Sequence, residues 1–170
     1  MIDKYRPDVL WFDGGDFTSP DVAGPVMSSL AHYYNQAAAR KVSVEVLNKF
    51  AGTMKFNFPE EFGILTYEAG RDRPDFMARP WIDDQSIAEV GWGYTPDLDI
   101  RSPREIVVGF ADRVARGGGL LLSLAPTPDG VIPENQKVVL REMGDWLKVN
   151  GEAIYDARTW KIQTEGSAEK

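Results

Sequence analysis

Two carboxylates stand directly after apolar runs. Asp13 closes the run Asp8-Val9-Leu10-Trp11-Phe12 and precedes Gly14-Gly15, and Glu68 follows Phe62-Gly63-Ile64-Leu65-Thr66-Tyr67. Short apolar runs bounded by Pro and Gly read as strands rather than helices. In parallel α/β folds, functional side chains gather at the carboxyl ends of strands. Two acids at such a rim are the minimum apparatus for hydrolysing a glycosidic bond. One attacks the sugar carbon, and the other, kept protonated by its surroundings, gives its proton to the leaving oxygen. A plainer description also fits, with Asp13 opening a turn and Glu68 a solvated loop charge, and spacing leaves both open. Trp11 alternates with Asp13, so indole and acid point to the same side of the strand.

Composition removes most competing chemistries. The 170 residues contain no Cys and a single His, His32. Disulfides, thiolate nucleophiles and multi-histidine metal sites are therefore excluded. A net charge of −7 argues against nucleic acid, which needs a basic patch. No apolar run approaches the roughly 18 residues that would suggest a membrane span, and no basic segment followed by an apolar stretch opens the chain. The 5 Trp, 6 Tyr and 8 Phe exceed what a core alone calls for, and suit pockets that stack the flat apolar faces of sugar rings. His32, beside Tyr33 and Tyr34, reads as a packed or partly exposed histidine on the apolar side of a helix. Asp83-Asp84 reads as a turn or helix cap. Arg71, Arg73 and Arg79 read as partners of Asp72, Asp75 and Asp83, with one of them free to reach a substrate.

The elements that would position these residues follow from periodicity. Ser19-Pro20-Asp21 starts a helix over 20–39, with Val22, Val26, Leu30, Tyr33 and Ala37 as its stripe. Strands are predicted at 8–13, 42–47 and 62–67, with a loop over 48–61 and a long polar loop over 69–85. Residues 86–94 are weakly strand-like. Ser102-Pro103-Arg104-Glu105 is a capping box ahead of the stripe Ile106, Val107, Phe110, Ala111 and Val114. Gly117-Gly118-Gly119 follows that helix and precedes a strand, so it marks a helix end and not a phosphate cradle. The strand 120–124, Leu-Leu-Leu-Ser-Leu, reads as buried on both faces. A last helix opens at Pro133, with Val138, Val139, Met143, Trp146 and Leu147 inward, and stops near Asn150-Gly151; the tail from Gln163 reads as frayed. Alternating strands and helices imply a parallel sheet with crossovers, and length alone suggests one domain.

Several stretches, in order, resemble one family. Lys4–Gly15 resembles the strand carrying the nucleophile in retaining α-L-fucosidases, glycoside hydrolase family 29. Residues 62–74 resemble the segment bearing the acid/base, and residues 80–94 the stretch "W-x-x-D … W-G-Y". Residues 102–136 resemble a helix, the glycine-rich turn, the last barrel strand and the loop "P-x-x-D-G-x-I-P", and residues 140–160 the final helix and its exit. The resemblance implies a partial (β/α) barrel of TIM type, from the nucleophile strand to the last barrel strand. It implies Asp13 as nucleophile and Glu68 as general acid and then base, with their carboxyl groups roughly 5–5.5 Å apart. Trp11 would line a fucose pocket, and Trp92 and Tyr94 would sit near its rim; of the three arginines above, Arg71 is the one expected to reach substrate. No metal or cofactor is implied. The expected partner is a fucosylated oligosaccharide or glycoconjugate.

Departures from the family pattern carry expectations of their own. The family takes pocket histidines from strands before the nucleophile, but only twelve residues precede Asp13. Where many members have Asn-Asp-Arg, this chain has Asn48-Lys49-Phe50, leaving Lys49 as the substitute cation. Residues 1–160 are therefore expected to be the second half of a catalytic barrel, with 161–170 where a β-sandwich would begin. Such a fragment would show little activity alone and could self-associate through open barrel edges. The family suggests a secreted, periplasmic or lysosomal setting for a full-length protein. The alternatives are a non-catalytic carbohydrate-binding homologue and a subunit completed by another chain.

Overall fold

The run Val-Leu-Trp-Phe becomes the first strand, β1 (Val9–Phe12), preceded by a short helix, α1 (Ile2–Tyr5). The computed structural model describes residues 1–13, 19–49, 62–71 and 79–159. They divide into two units, Met1–Tyr67 and Glu68–Lys170. Gly14-Gly15, most of the 48–61 loop, Asp72, Arg73, Asp75 and the tail, for all of which the sequence carries an expectation, lie outside the described residues.

In the first unit, β1 pairs in parallel with β2 (Glu45–Lys49), and β2 with β3 (Ile64–Glu68). The long helix α2 (Pro20–Arg40) makes the crossover that a parallel β1–β2 pair requires. Val26, Leu30 and Tyr33 of α2 pack with Val46, and Ile2, Leu10, Phe12, Val44 and Phe62 surround them. Val22 is exposed, so the stripe begins one turn later than its spacing suggests. The Tyr33 hydroxyl donates to the carbonyls of Pro7 (3.1 Å) and Glu45 (3.4 Å), tying α2 to the entries of both strands. Burial, with lesser help from Tyr34, pushes the Tyr33 phenol above its ordinary pKa.

Two expectations change here. The second strand is shifted from 42–47 to Glu45–Lys49. Lys41 takes a left-handed conformation (φ 58°), and pairing starts only where β1 supplies partners, at Val9↔Glu45. Asn48 and Lys49, expected in a loop, continue the ladder towards β3. His32 is not on the apolar side: it is exposed and its Nε2 lies 2.7 Å from Asp3 Oδ1, an ion pair when the ring is protonated.

In the second unit, β4 (Trp81–Ser86) pairs in parallel with β5 (Gly118–Ser123), from Trp81↔Gly118 to Ser86↔Ser123. Between them runs α3 (Pro103–Ala115), and α4 (Glu134–Asn150) follows β5, ending in a 3₁₀ turn at Gly151–Ala153. The capping box forms: Glu105 N–H donates to Ser102 Oγ, and the Ser102 amide donates to Glu105 Oε2 at 2.8 Å. The Ser102 hydroxyl, then its amide, hold the Glu105 carboxyl below the usual range. Ile87, Ile106 and Val139 form the core, with Ile100, Leu120, Leu122, Leu124 and Met143 against them.

The long polar loop over 69–85 is overturned at its end, because residues 81–86 are strand β4 and residues 87–94 are not a strand. Its run Trp-Ile-Asp-Asp-Gln-Ser hides a strand behind two acids, neither of which is in a turn or cap. Every residue of β5 keeps some exposure, correcting the expectation of burial on both faces. Leu120 and Leu122 meet the helices, while Leu121 and Ser123 alternate to the other face, and among the described residues β5 has a single strand neighbour. Val138 is exposed, against expectation, while Val139 and Met143 face the core as expected.

Candidate active site

Asp13 directly follows β1, and Glu68 is the last residue of β3, so each sits at the carboxyl end of a parallel strand. Three predicted site residues come together in the first unit. Lys49, at the end of β2, donates from Nζ to Asp13 Oδ1 at 2.8 Å. The lysine side chain is 3% exposed and the aspartate side chain 50% exposed. The ammonium thus comes from inside the unit and meets a carboxylate that faces solvent. The same Nζ lies 5.3 Å from the centroid of the Trp11 ring, within cation–π reach. Trp11 Nε1 is buried and has no hydrogen-bond partner among the described residues. Lys49, the residue that stands where many members of the family have Asp in Asn-Asp-Arg, is thus a buried cation paired with Asp13.

Three more gather in the second unit. Glu68, Arg71 and Trp92 line a cavity of about 190 Å³ with Gln85, Ser86 and Arg101. Trp92 is 39% exposed. Arg101 is already engaged, with NH1 3.0 Å from Glu89 Oε2 and NH2 donating to the Glu89 carbonyl. Tyr94 is 38% exposed, two residues beyond Trp92, and outside the lining of this cavity.

The chain leaves β3 through a tight turn that fixes Glu68 relative to Arg71. Ala69 and Gly70 both take left-handed conformations (φ 51° and 73°), and the Arg71 amide donates to the Glu68 carbonyl at 2.8 Å. A left-handed alanine costs roughly 1–2 kcal/mol, so something must hold it. The Ala69 amide donates to the Asp84 carbonyl at 2.8 Å. The Gly70 amide donates to both carboxylate oxygens of Asp83, each at 3.0 Å.

Asp83 is fully buried and was missed as a site residue. Its partner is Arg113, whose Nε donates to Asp83 Oδ2 at 2.7 Å, and not one of the arginines of the 69–85 segment. Arg113 also donates to the Gly109 carbonyl (2.8 Å) and to Gln85 Oε1 (3.2 Å). A side chain at Gly109 would come within 2.9 Å of Arg113 NH1, so the glycine makes room for the guanidinium. The signal available in the sequence was an acid inside a strand-length run and an arginine on an otherwise apolar helix face. Among the described residues, no group of three or more His, Asp or Glu side chains could hold a metal ion.

Comparison with known proteins identifies the family. The sequence profile of a family described as alpha-L-fucosidase matches residues 1–152. The plasma alpha-L-fucosidase of Rattus norvegicus is 34% identical over 168 residues, covering 97% of this chain and 36% of the relative. The Homo sapiens plasma enzyme is 33% identical over the same length, covering 97% and 35%. The chain therefore spans about a third of the length of these relatives. Among solved structures, the Thermotoga maritima alpha-fucosidase in complex with fucose is similar at a TM-score of 0.73 and 29% identity, over 94% of this chain and 33% of that one. The fold is accordingly α/β, part of a TIM-type barrel. The chain belongs to the alpha-L-fucosidase family of glycoside hydrolases.

Proposed function

We propose that this chain carries both catalytic acids of a retaining α-L-fucosidase. The observation that carries the reading is Asp13 at the end of β1, held by the buried Lys49 beside Trp11. Asp13 attacks the anomeric carbon of a terminal α-L-fucosyl group while Glu68 donates a proton to the leaving oxygen. Glu68 then takes a proton from water, which releases fucose from Asp13 with retained configuration. Trp11 and Lys49 face the fucose. Arg71, Trp92 and Tyr94 face the rest of a fucosylated oligosaccharide. Residues 1–160 constitute the second half of the catalytic barrel. The chain alone turns over weakly, because it has one histidine where the family brings several from earlier strands. Among the described residues β1 and β5 each have one strand neighbour, which favours self-association along those edges.

The test is an aryl α-L-fucoside assay paired with trapping by a fluorinated fucosyl fluoride, read by mass spectrometry. One adduct on Asp13, lost in Asp13→Gly, is the expected result. Glu68→Ala slows aryl-fucoside turnover by on the order of 10²-fold or more. Fucose binding with neither adduct nor turnover refutes the enzymatic reading. That outcome favours carbohydrate binding through the exposed rings of Trp92 and Tyr94.

A further inference from the structure

We infer that Asp83 is a positioning residue for Glu68, acting through the Gly70 amide; its catalytic part rests on the fucosidase reading above. Asp83 does not line the cavity that holds Glu68, Arg71 and Trp92. It lies on β4, in register with Leu120 of β5 and bonded at its tip to Arg113 of α3. Every amide of the Ala69-Gly70-Arg71 turn is taken, one by the Asp84 carbonyl, one by the Asp83 carboxylate and one by the Glu68 carbonyl. Only the Asp83 bond comes from a side chain, so it is the bond a substitution can remove.

The geometry is directional. Gly70 donates evenly to both oxygens of a carboxylate whose Oδ2 is also held by a buried guanidinium. Rotation of that carboxylate would break the Arg113 bond, and translation of the turn would break the Gly70 bond. The guanidinium is itself fixed by Gly109 and Gln85. The chain of contacts Gly109–Arg113–Asp83–Gly70 therefore sets where the turn after Glu68 lies and where the Glu68 side chain emerges from it. A general acid acts only from a narrow range of positions, and a shift of about 1 Å at a reacting group costs on the order of 10²-fold in rate.

The experiment compares Asp83→Asn with the paired replacement Asp83→Leu/Arg113→Met. The single variant places an amide N–H₂ against Gly70 or against Arg113. It leaves a buried charge uncompensated, so it can fail to fold. The paired variant removes both charges together and keeps an apolar, similarly sized contact, which buried ion pairs tolerate. Two readouts are taken on each folded variant. The first is the amide spectrum: the Gly70 proton moves upfield, with changes confined to residues 68–71 and the Trp92 indole, while exchange protection in α3 and β5 stays within threefold of the parent. The second is aryl-fucoside kinetics: kcat falls 10- to 100-fold with KM within twofold.

An unmoved Gly70 resonance overturns the inference. So does a moved one with unchanged kcat, and so does loss of protection throughout the unit, which would make Asp83 a folding residue only. If the parent chain neither turns over nor forms the Asp13 adduct, the fucosidase reading fails separately. The amide pattern alone then decides whether Asp83 positions Glu68.

Discussion

Two adjacent glycines predict opposite outcomes for the same substitution. At Gly118, an added Cβ would sit 2.4–2.6 Å from three ring atoms of Trp81, which is 1% exposed and bonded through Nε1 to the Arg116 carbonyl at 3.3 Å. Ordinary carbon contacts need about 3.5–4.0 Å, so the ring would have to retreat by about 1 Å into a packed interior. Overpacking of that kind costs roughly 1–3 kcal/mol. At Gly119, an added Cβ would meet Ile82 Cγ1 at 3.7 Å and nothing nearer. There the loss of glycine's backbone freedom in the unfolded chain gains roughly 0.5–1 kcal/mol. In urea, with a slope of about 1–3 kcal/mol per molar, Gly118→Ala lowers the midpoint by about 1 M. Gly119→Ala leaves it unchanged or raises it slightly, as read by far-ultraviolet circular dichroism. Adding Trp81→Leu to Gly118→Ala restores part of the loss, because the two residues share one space. Equal midpoints for the two alanine variants, or no coupling with Trp81, would refute the packing argument.

Lys49→Met slows trapping of Asp13 by the fluorinated fucosyl fluoride about 10²-fold, the usual effect of deleting a preorganised electrostatic partner. Lys49→Arg keeps part of the rate, and equal rates in all three proteins would show that the 2.8 Å contact has no chemical role. Ser102→Ala lowers the melting temperature by a few degrees at pH 7 through loss of the cap on α3. Because Ser102 holds the Glu105 carboxyl below its ordinary pKa, this contribution is present above the ordinary carboxylate range and is lost as pH falls through the lower folded value. The gap between parent and variant therefore narrows in acid, and a gap independent of pH contradicts the capping-box geometry.

Elements whose signals are local were legible in the sequence. The capping box at Ser102–Glu105, the leucines of β5 and most of the α2 stripe declare themselves within a few residues. Strand β4 did not, because period-2 reading expects polar residues to face solvent. Here Asp83 faces inward and is satisfied by Arg113, 30 positions away. That pairing exists only once α3 lies on the sheet. Lys49 was visible as a cation, but its bond to Asp13 was not, because it spans 36 positions and depends on the β1–β2 register. The left-handed Ala69 left no trace, since alanine carries no turn signal and its conformation is imposed by acceptors from β4.

The side chain of Gln136 imitates a strand. It is 1% exposed, and its amide accepts from Ala125 N (2.9 Å) and donates to Ala125 O (2.8 Å), completing a two-bond rung where the chain leaves β5. Further out, the Thr127 amide donates to the Val131 carbonyl and the Val131 amide to Thr127 Oγ1, a second rung across the loop. The segment between β5 and α4 is thus closed twice before its tip at Asp129-Gly130. A change of length at the tip is insulated from the barrel strand, and the loop is tied as a unit to the first turn of α4. A graft of this loop onto another barrel would have to carry Gln136 with it, although that residue lies outside the loop.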